Sequence, residues 1–168
     1  MNNFKPVKAN ELPDNVFDLL TKDWALVTAG NKDSYNMMTA SWGGFGCLWN
    51  KNVCFLFIRK SRYTYEFIEQ NETLTLSFFG EKFRDVLTLC GKKSGREINK
   101  MKDVPLTPFS FENEGVAFEE AKLVMNCRKL SGADMRSFDF IDDSVLKFYE
   151  DNDFHKLYIC EIKDILVK

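Results

Sequence analysis

Features that would classify this sequence at once are mostly missing from it. Among its 168 residues there is one histidine, His155, and none of the five cysteines forms a Cys-x-x-Cys pair. A structural zinc site is therefore not expected, because zinc needs several such ligands at characteristic spacing. No Gly-x-Gly-x-x-Gly stretch and no Walker-type loop is present, which argues against a Rossmann domain and a P-loop. The longest apolar run, near Val53 to Ile58, is far too short to span a bilayer.

A large charge of one sign is also absent. The formal net charge is -2, so no global field favours nucleic acid or acidic membranes as partners, and any anion has to be held by a local cluster of basic groups. Met1 to Ala9 contains no apolar stretch of the kind found in signal peptides. We interpret the odd number of cysteines as reduced and mostly buried, which is typical of a cytoplasmic protein. The cysteines are Cys47, Cys54, Cys90, Cys127 and Cys160.

The composition that is present is that of a globular protein. Hydrophobic residues make up 45% and charged residues 29% of the chain. A length of 168 residues fits a single domain, residues 1–168, with a core of its own. The 16 phenylalanines favour strands, and they also provide rings for a planar ligand or a subunit interface.

Six segments have the patterns of short strands. Val53 to Ile58 is continuously apolar, which predicts a strand covered on both faces. Thr73 to Phe79 alternates Leu with Thr or Ser, which is the period of a half-buried strand. The six candidates are Trp24 to Thr28, Asn36 to Ser41, Val53 to Ile58, Thr73 to Phe79, Lys122 to Leu130 and Lys156 to Val167.

Short helices are predicted between these strands. Thr64 is placed to cap a helix over Tyr65 to Gln70, with Tyr63 and Ile68 as a hydrophobic staple. The other helical candidates are Glu81 to Cys90, Ser94 to Met101 with a capping box from Ser94 to Glu97, and Asp143 to Glu150. The fold class is therefore mainly β with short helices, such as a β-barrel with helical additions. The strand pattern alone does not separate a barrel from a sandwich.

The residues Arg59 to Thr64 form the most informative segment. They follow an apolar strand, precede a predicted helix and contain three cations and three hydroxyl groups. The first turn of a helix adds unpaired backbone N–H groups and a partial positive charge. Together these groups predict a site for a dianionic phosphate. The alternative is a solvated, charged turn with an ordinary threonine cap.

Two further segments and the histidine are weaker candidates. Gly91 to Arg96 is also basic and precedes a helix, but Glu97 can occupy that cap itself, which favours a structural role. Asn36 to Gly44 combines small and hydroxyl residues with a pair of glycines, so its backbone can approach a flat ligand that Trp42 would cover. In isolation this stretch is better explained as a strand that ends in a glycine turn. His155 is either a packing residue or a donor to a ligand near neutral pH.

Taken in order, several segments resemble the flavin reductase-like proteins, and within them the flavoredoxin-like branch. Cys90 to Arg96 resembles the Cys-Gly-x-x-Ser-Gly-Arg segment of that branch, although Cys160 stands where the branch usually has glycine. The resemblance covers most of the chain from Trp24 onward. The matching segments are Thr39 to Gly43, Leu48 to Lys51, Phe57 to Arg59, Arg62 to Ile68, Thr75 to Phe79, Cys90 to Arg96 and His155 to Ile162.

This resemblance implies a six-stranded Greek-key split barrel that binds FMN and forms a homodimer, with the flavin near the dimer interface. It assigns the isoalloxazine and ribityl groups to one run of residues: Met38, Thr39, Ala40, Ser41 and Trp42. It assigns the phosphate to a second set: Arg59, Ser61, Tyr63 and Thr64, completed by Lys92, Ser94 and Arg96. His155 is the one catalytic candidate.

Three functions follow as hypotheses. In the first, the protein is a flavin reductase in which NAD(P)H reduces bound FMN, which then passes electrons to a free flavin or another acceptor. In the second, it is a flavoredoxin-like carrier that exchanges electrons with a redox protein partner without efficient NAD(P)H turnover. In the third, it is a split-barrel binding module that has lost flavin, against which the intact Arg59 to Thr64 cluster argues.

Overall fold

The chain folds around an antiparallel β-sheet. The structure is a computed structural model that describes residues 3–111 and 114–168. All strand pairs among these residues are antiparallel. The strands are β1 (Lys5–Pro6), β2 (Ala25–Asn31), β3 (Ser34–Ala40), β4 (Gly43–Leu48), β5 (Lys51–Arg59), β6 (Thr73–Phe78), β7 (Pro108–Phe111), β8 (Glu114–Phe118), β9 (Leu123–Asp134) and β10 (His155–Val167).

The main sheet curls into a barrel that hydrogen bonds do not close. Its strand order is β3-β2-β6-β9-β10-β5-β4, with β1 beside β10, while β7 and β8 form a separate hairpin. Strands β3 and β4 lie at opposite ends of this order, yet only Ser41 and Trp42 connect them. The two ends must therefore approach each other, as in a split barrel with Greek-key connections. The predicted fold class, mainly β with short helices, is confirmed.

All six predicted strands are present, and β1 and β4 join them in the main sheet. Strand β4 escapes sequence-based prediction because Gly43, Gly44 and Gly46 give it low intrinsic strand propensity. It forms because it pairs in register with β5 from Gly43 to Leu48. At Gly43 a Cβ would lie 2.6 Å from the Phe55 carbonyl oxygen, so the close pairing requires glycine there.

The helices are short and lie between the strands. Helix α1 spans Val16–Asp18 and runs into a π-helical segment, Leu19–Asp23. Helix α2 spans Tyr63–Gln70, α3 spans Arg84–Lys92 and α4 spans Lys100–Asp103. The 3-10 segments are Ala9–Glu11, Glu81–Phe83, Ser137–Asp139 and Asp143–Phe148. None of the helices among the described residues has the length and apolar character needed to cross a bilayer.

Two helix caps predicted from the sequence do not form. Helix α2 begins two residues earlier than predicted, so Arg62 is its N-cap. The buried Thr64 hydroxyl instead accepts a hydrogen bond from Asn36 Nδ2 at 2.8 Å. The Ser94 capping box is replaced by a turn in which Ser94 Oγ accepts from the Arg96 N–H. Tertiary partners thus overrode both local capping patterns.

The core has two parts that meet across β2 and β3. Alternate residues of β2, such as Val27 and Leu26, belong to different buried clusters. The first cluster fills the barrel with side chains such as Leu56 and Phe78, and the second packs beneath α3 and β8. These strands are consequently apolar on both faces, as the continuous burial of β2 requires.

The cysteines are free thiols, as predicted. Cys54, Cys127 and Cys160 lie in the barrel core, Cys90 lies on the buried face of α3, and Cys47 is exposed. Cys160 is paired in register with Cys54 across β10 and β5, so its side chain points into the core. Its replacement of the usual glycine therefore places no sulfur in the cleft described below.

Candidate functional site

A cleft opens where β3, β5 and β10 meet at one end of the barrel. Its volume is about 300 Å³, which is at the lower end for small-molecule sites. The register places His155 at the start of β10 directly opposite Arg59 at the end of β5. The lining residues are Met38, Thr39, Ala40, Ser41, Trp42, Phe57, Arg59, Arg62 and His155.

The cleft contains all of the residues that the resemblance assigns to the flavin ring, but only Arg59 of those that it assigns to the phosphate. The entire run from Met38 to Trp42 lines it, as do Arg59 and His155. Thr39 is fixed by a hydrogen bond from its hydroxyl to the Leu87 carbonyl of α3. The wall therefore rests on a packed strand and not on a free loop.

Arg59 is engaged at the rim by an acidic turn, which we define as Asp151–Asp153. Its Nη1 lies 3.2 and 3.1 Å from the two carboxylate oxygens of Asp151, and its Nη2 donates to the Phe148 carbonyl at 2.7 Å. A carboxylate oxygen of Asp153 is 3.7 Å from the same guanidinium. The Arg59 cation is thus largely neutralised by residues of its own chain.

The same turn occupies Ser61. Both the backbone N–H and the hydroxyl of Ser61 donate to the Asp153 carboxylate. Lys60, the remaining cation of this half of the segment, points away from the cleft and pairs with Asp134 at 2.8 Å. Half of the predicted phosphate cluster is therefore hydrogen-bonded to carboxylates.

Arg62 differs from these residues. Its Nη2 donates to the carbonyls of Cys90 and Gly91, at 3.3 and 2.8 Å, at the C-terminal end of α3. It forms no ion pair with a carboxylate in the described part of the chain. Burial lowers its pKa below the usual range while it stays a cation; the charge of Asp153 acts against this shift, and that of Arg59 adds to it. Arg62 is accordingly the one lining cation whose charge no described carboxylate pairs.

His155 is buried and held in a fixed orientation. Its Nδ1 is 2.9 Å from the Tyr149 hydroxyl, and its ring centroid is 5.2 Å from that of Trp42. Burial, with a smaller contribution from the Arg59 charge, lowers the pKa of His155 to about 4. The imidazole is therefore neutral at pH 7 and can offer a hydrogen bond but no charge.

Trp42 forms the outer wall between His155 and Phe148. Its ring contacts Phe148 edge to face at 5.4 Å, and the two side chains remain 44% and 47% exposed. An exposed aromatic pair beside a cleft supplies a surface that a planar ring or a second polypeptide can cover.

The other predicted phosphate ligands lie outside the cleft. Arg96 donates to the Ser61 carbonyl, pairs with Glu66 and covers the Tyr63 ring, in a neighbouring groove. Thr64 is buried behind the cleft, Lys92 is exposed at the end of α3, and Ser94 belongs to the turn that follows. The segment Gly91 to Arg96 ends α3 and enters a turn, and it does not form the helix cap that the sequence favoured for it.

Three residues near the cleft were not singled out from the sequence. Phe57 and Arg59 are two positions apart on β5 and share a face, so the strand period could have identified Phe57. Arg62 was part of the basic segment but was not chosen as a ligand. Lys100 has no sequence signal: its buried ammonium donates to the carbonyls of Met37 and Cys90 at 2.8 and 2.9 Å, behind the cleft wall.

A larger groove of about 790 Å³ lies beside β1 and the far end of β10. Its lining includes none of the residues predicted for a site, and Lys8 and Lys163 are accompanied there by Asp164. We therefore place the candidate site in the smaller cleft, where a cation, neutral imidazole and strand backbone converge.

Comparisons with known proteins agree on one family. Residues 17–168 match the family model described as flavin reductase like domain. A search of curated protein sequences found no significant match.

Solved structures share this fold at low sequence identity. A flavoredoxin from Methanosarcina acetivorans is 19% identical, with a TM-score of 0.71 over 96% of this chain and 76% of that one. An FMN-binding domain of a flavin reductases-like enzyme from Shewanella baltica OS155 is 17% identical, with a TM-score of 0.70 over 98% and 77%. Flavoredoxin of Desulfovibrio vulgaris (Miyazaki F) is 22% identical, with a TM-score of 0.67 over 98% and 76%. At these identities the likeness establishes the fold.

Proposed function

The chain belongs to the flavin reductase-like family, and from this premise we propose that its cleft binds FMN and that the protein is an NAD(P)H:flavin oxidoreductase. The single observation that carries the proposal is the position of Arg62. This half-buried cation without a carboxylate partner lies in the same cleft as the backbone of Met38 to Trp42. A partly desolvated cation that forms no close ion pair favours an anionic ligand, and a flavin phosphate is such an anion.

The residues present fit the rest of this cofactor. Trp42 and Phe57 offer aromatic surface to a planar ring system, and Ser41 offers a hydroxyl to its polar edge. The strand backbone from Met38 to Ala40 provides rigid N–H and C=O groups at the wall. Arg62 would hold the phosphate, and neutral His155 would donate or accept one hydrogen bond.

FMN, when bound, supplies the hydride and electron chemistry of such an enzyme. The chain contributes binding, orientation and exclusion of water. The strand wall from Met38 to Ala40 and the Arg62 charge would hold the two ends of the cofactor, and so would orient it. His155, whose pKa is about 4, keeps its position through Tyr149 without adding a charge beside the flavin.

A flavoredoxin-like electron carrier is the second candidate function. The observation that favours it is the exposed aromatic pair Trp42 and Phe148 at the mouth of the cleft. Phe138 and Ile141, in the same connection between β9 and β10 as Phe148, are also exposed. Such an apolar rim suits a redox protein partner or a second copy of this chain. A homodimer is accordingly part of the proposal, as is NADH or NADPH as the electron donor.

A visible absorption spectrum tests the cofactor first. The purified protein is mixed with FMN, desalted and scanned; retained flavin bands are expected. A protein that stays colourless and shows no affinity for FMN would overturn the proposal and favour a binding module that has lost flavin. Steady-state oxidation of NADH and NADPH then separates the two candidates. Turnover supports a reductase, whereas tight FMN binding without turnover supports a carrier.

A further inference from the structure

Two carboxylates of the chain occupy groups that a ligand phosphate would use. Asp151 binds the Arg59 guanidinium through both oxygens, and Asp153 accepts from the backbone N–H and hydroxyl of Ser61. These partners are 92 residues apart in the sequence. Guanidinium, serine hydroxyl and main-chain N–H are the donors that bind phosphate in many proteins.

The acidic turn is built to hold this position. Asn152 adopts a left-handed conformation, with φ of 56°, which asparagine tolerates better than most residues. The Asp153 N–H donates to Asp151 Oδ1 at 3.2 Å, and oxygens of the two carboxylates lie 3.1 and 3.7 Å from Arg59 Nη1, so both face the same side. Behind the turn, the rings of Tyr149 and Phe154 stack with centroids 4.8 Å apart. The turn is thus a defined structure and not a loose chain end.

The ion pair between Asp151 and Arg59 is nevertheless easy to exchange for one with a ligand. The Asp151 side chain is 63% exposed, and that of Arg59 is 26% exposed. Exposed ion pairs contribute little to stability, so a ligand that offers Arg59 another anion can replace Asp151 at small cost. The two carboxylates cancel the charges of Arg59 and Arg62, so the cleft offers a dianion little net attraction for as long as the turn stays in place.

We propose that the acidic turn is a specificity element of the cleft: Asp151 and Asp153 compete with a ligand phosphate for Arg59 and Ser61, and so weaken the binding of phosphorylated flavin relative to unphosphorylated flavin. The flavin part of this inference rests on the proposed function. The turn stabilises the rim in its present form, and a phosphate ester binds fully only by displacing it. Riboflavin lacks the phosphate and therefore does not compete with the turn for Arg59 and Ser61.

The test compares the dissociation constants of FMN and riboflavin for the wild type and for Asp151→Asn/Asp153→Asn. The double variant is expected to bind FMN about tenfold more tightly, equivalent to about 1.4 kcal/mol, while riboflavin affinity stays within about twofold. The matched control is Asp134→Asn/Asp139→Asn, which also removes two exposed carboxylates, paired with Lys60 and Arg136 outside the cleft. It is expected to leave both affinities unchanged. Thermal unfolding verifies that each variant is folded.

Unchanged or weaker FMN binding by the double variant would overturn the inference, as would an equal gain for both flavins or for the control. The single variant Asp151→Asn gives the same test if the double variant is unstable, because its side chain is mostly exposed. If no flavin binds to any form, the proposed function fails. The turn is then tested with inorganic phosphate, followed by the NMR signal of the only histidine, His155. Tighter phosphate binding by the double variant supports the competition, and equal binding rejects it.

Discussion

The two ends of the segment from Arg59 to Thr64 contain similar residues in different environments. Arg59 and Ser61 face the acidic turn, and their donors are used by Asp151 and Asp153. Arg62 faces the end of α3, where it donates only to the neutral carbonyls of Cys90 and Gly91. Two arginines three positions apart therefore differ in the charge that remains for a ligand. The number of basic residues in a segment does not predict its affinity for phosphate, because the partners of each cation decide how much charge remains for a ligand.

The largest effect that sharpens this comparison is expected for Arg62→Ala. The loss of a charge-assisted phosphate contact costs on the order of 1.5–3 kcal/mol, or about ten- to hundredfold in FMN affinity. Fluorescence or absorbance titration with FMN measures it. Arg96→Ala is the matched control, because Arg96 pairs with Glu66 outside the cleft. FMN affinity that is equal in both variants would contradict the role given to Arg62.

Arg59→Ala is expected to weaken FMN binding less, by about three- to tenfold, because the wild-type charge is already shared with carboxylates. The fold should remain intact, since the change removes a rim cation and no core packing. The same titration measures the affinity, and thermal unfolding measures the stability. An effect larger than that of Arg62→Ala would reverse the comparison, and no effect at all would remove Arg59 from the site.

The pKa of His155 shows which of the two arginines has the stronger electrostatic effect on the imidazole. Burial and the Arg59 charge hold the pKa of His155 at about 4. Arg59→Ala is expected to raise this pKa, because the repelling cation is lost, whereas Arg62→Ala should leave it nearly unchanged. An NMR titration of the His155 ring measures both. Equal shifts in the two variants would mean that the ends of the segment do not differ as described.

The same shift predicts a pH dependence of stability. The folded protein binds fewer protons at His155 than the unfolded chain, whose pKa is about 6.5. The contribution of His155 to stability is therefore fully present above about pH 6.5 and is lost as the pH falls towards 4. Urea unfolding of the wild type and His155→Gln measures it. Parallel pH profiles for the two proteins over this window would contradict the prediction.

The smallest effect is expected for Lys60→Met. Lys60 forms an exposed pair with Asp134 and does not line the cleft. FMN affinity should be unchanged, and the free energy of unfolding should change little. A clear loss of FMN affinity would show that all three cations of the segment act together, and that the division into two ends is wrong.

Much of the fold was predictable because it depends on local periodicity. Val53 to Ile58 and Thr73 to Phe79 have the apolar patterns that strands require on a buried sheet, and both are strands. Strand β4 was not predictable in the same way, because its glycines carry no pattern and it forms by pairing with β5. The predicted Thr64 cap does not form, because Asn36 of strand β3 donates to the Thr64 hydroxyl. Local rules held where no distant residue competed for the same group.

The sequence by itself determined six of the ten strands, the resemblance to the flavin reductase-like proteins and the segments that surround the cleft. Met38 to Trp42, Arg59 and His155 were all identified before their positions were known, and all line it. Only the tertiary structure decided that Arg59 and Ser61 are paired with Asp151 and Asp153, and that Arg62 is not paired with a described carboxylate. The physical reason is the distance along the sequence between the groups that interact. Secondary structure follows from neighbours within a few residues, whereas the charge available at a site depends on groups that the fold brings together from distant parts of the chain.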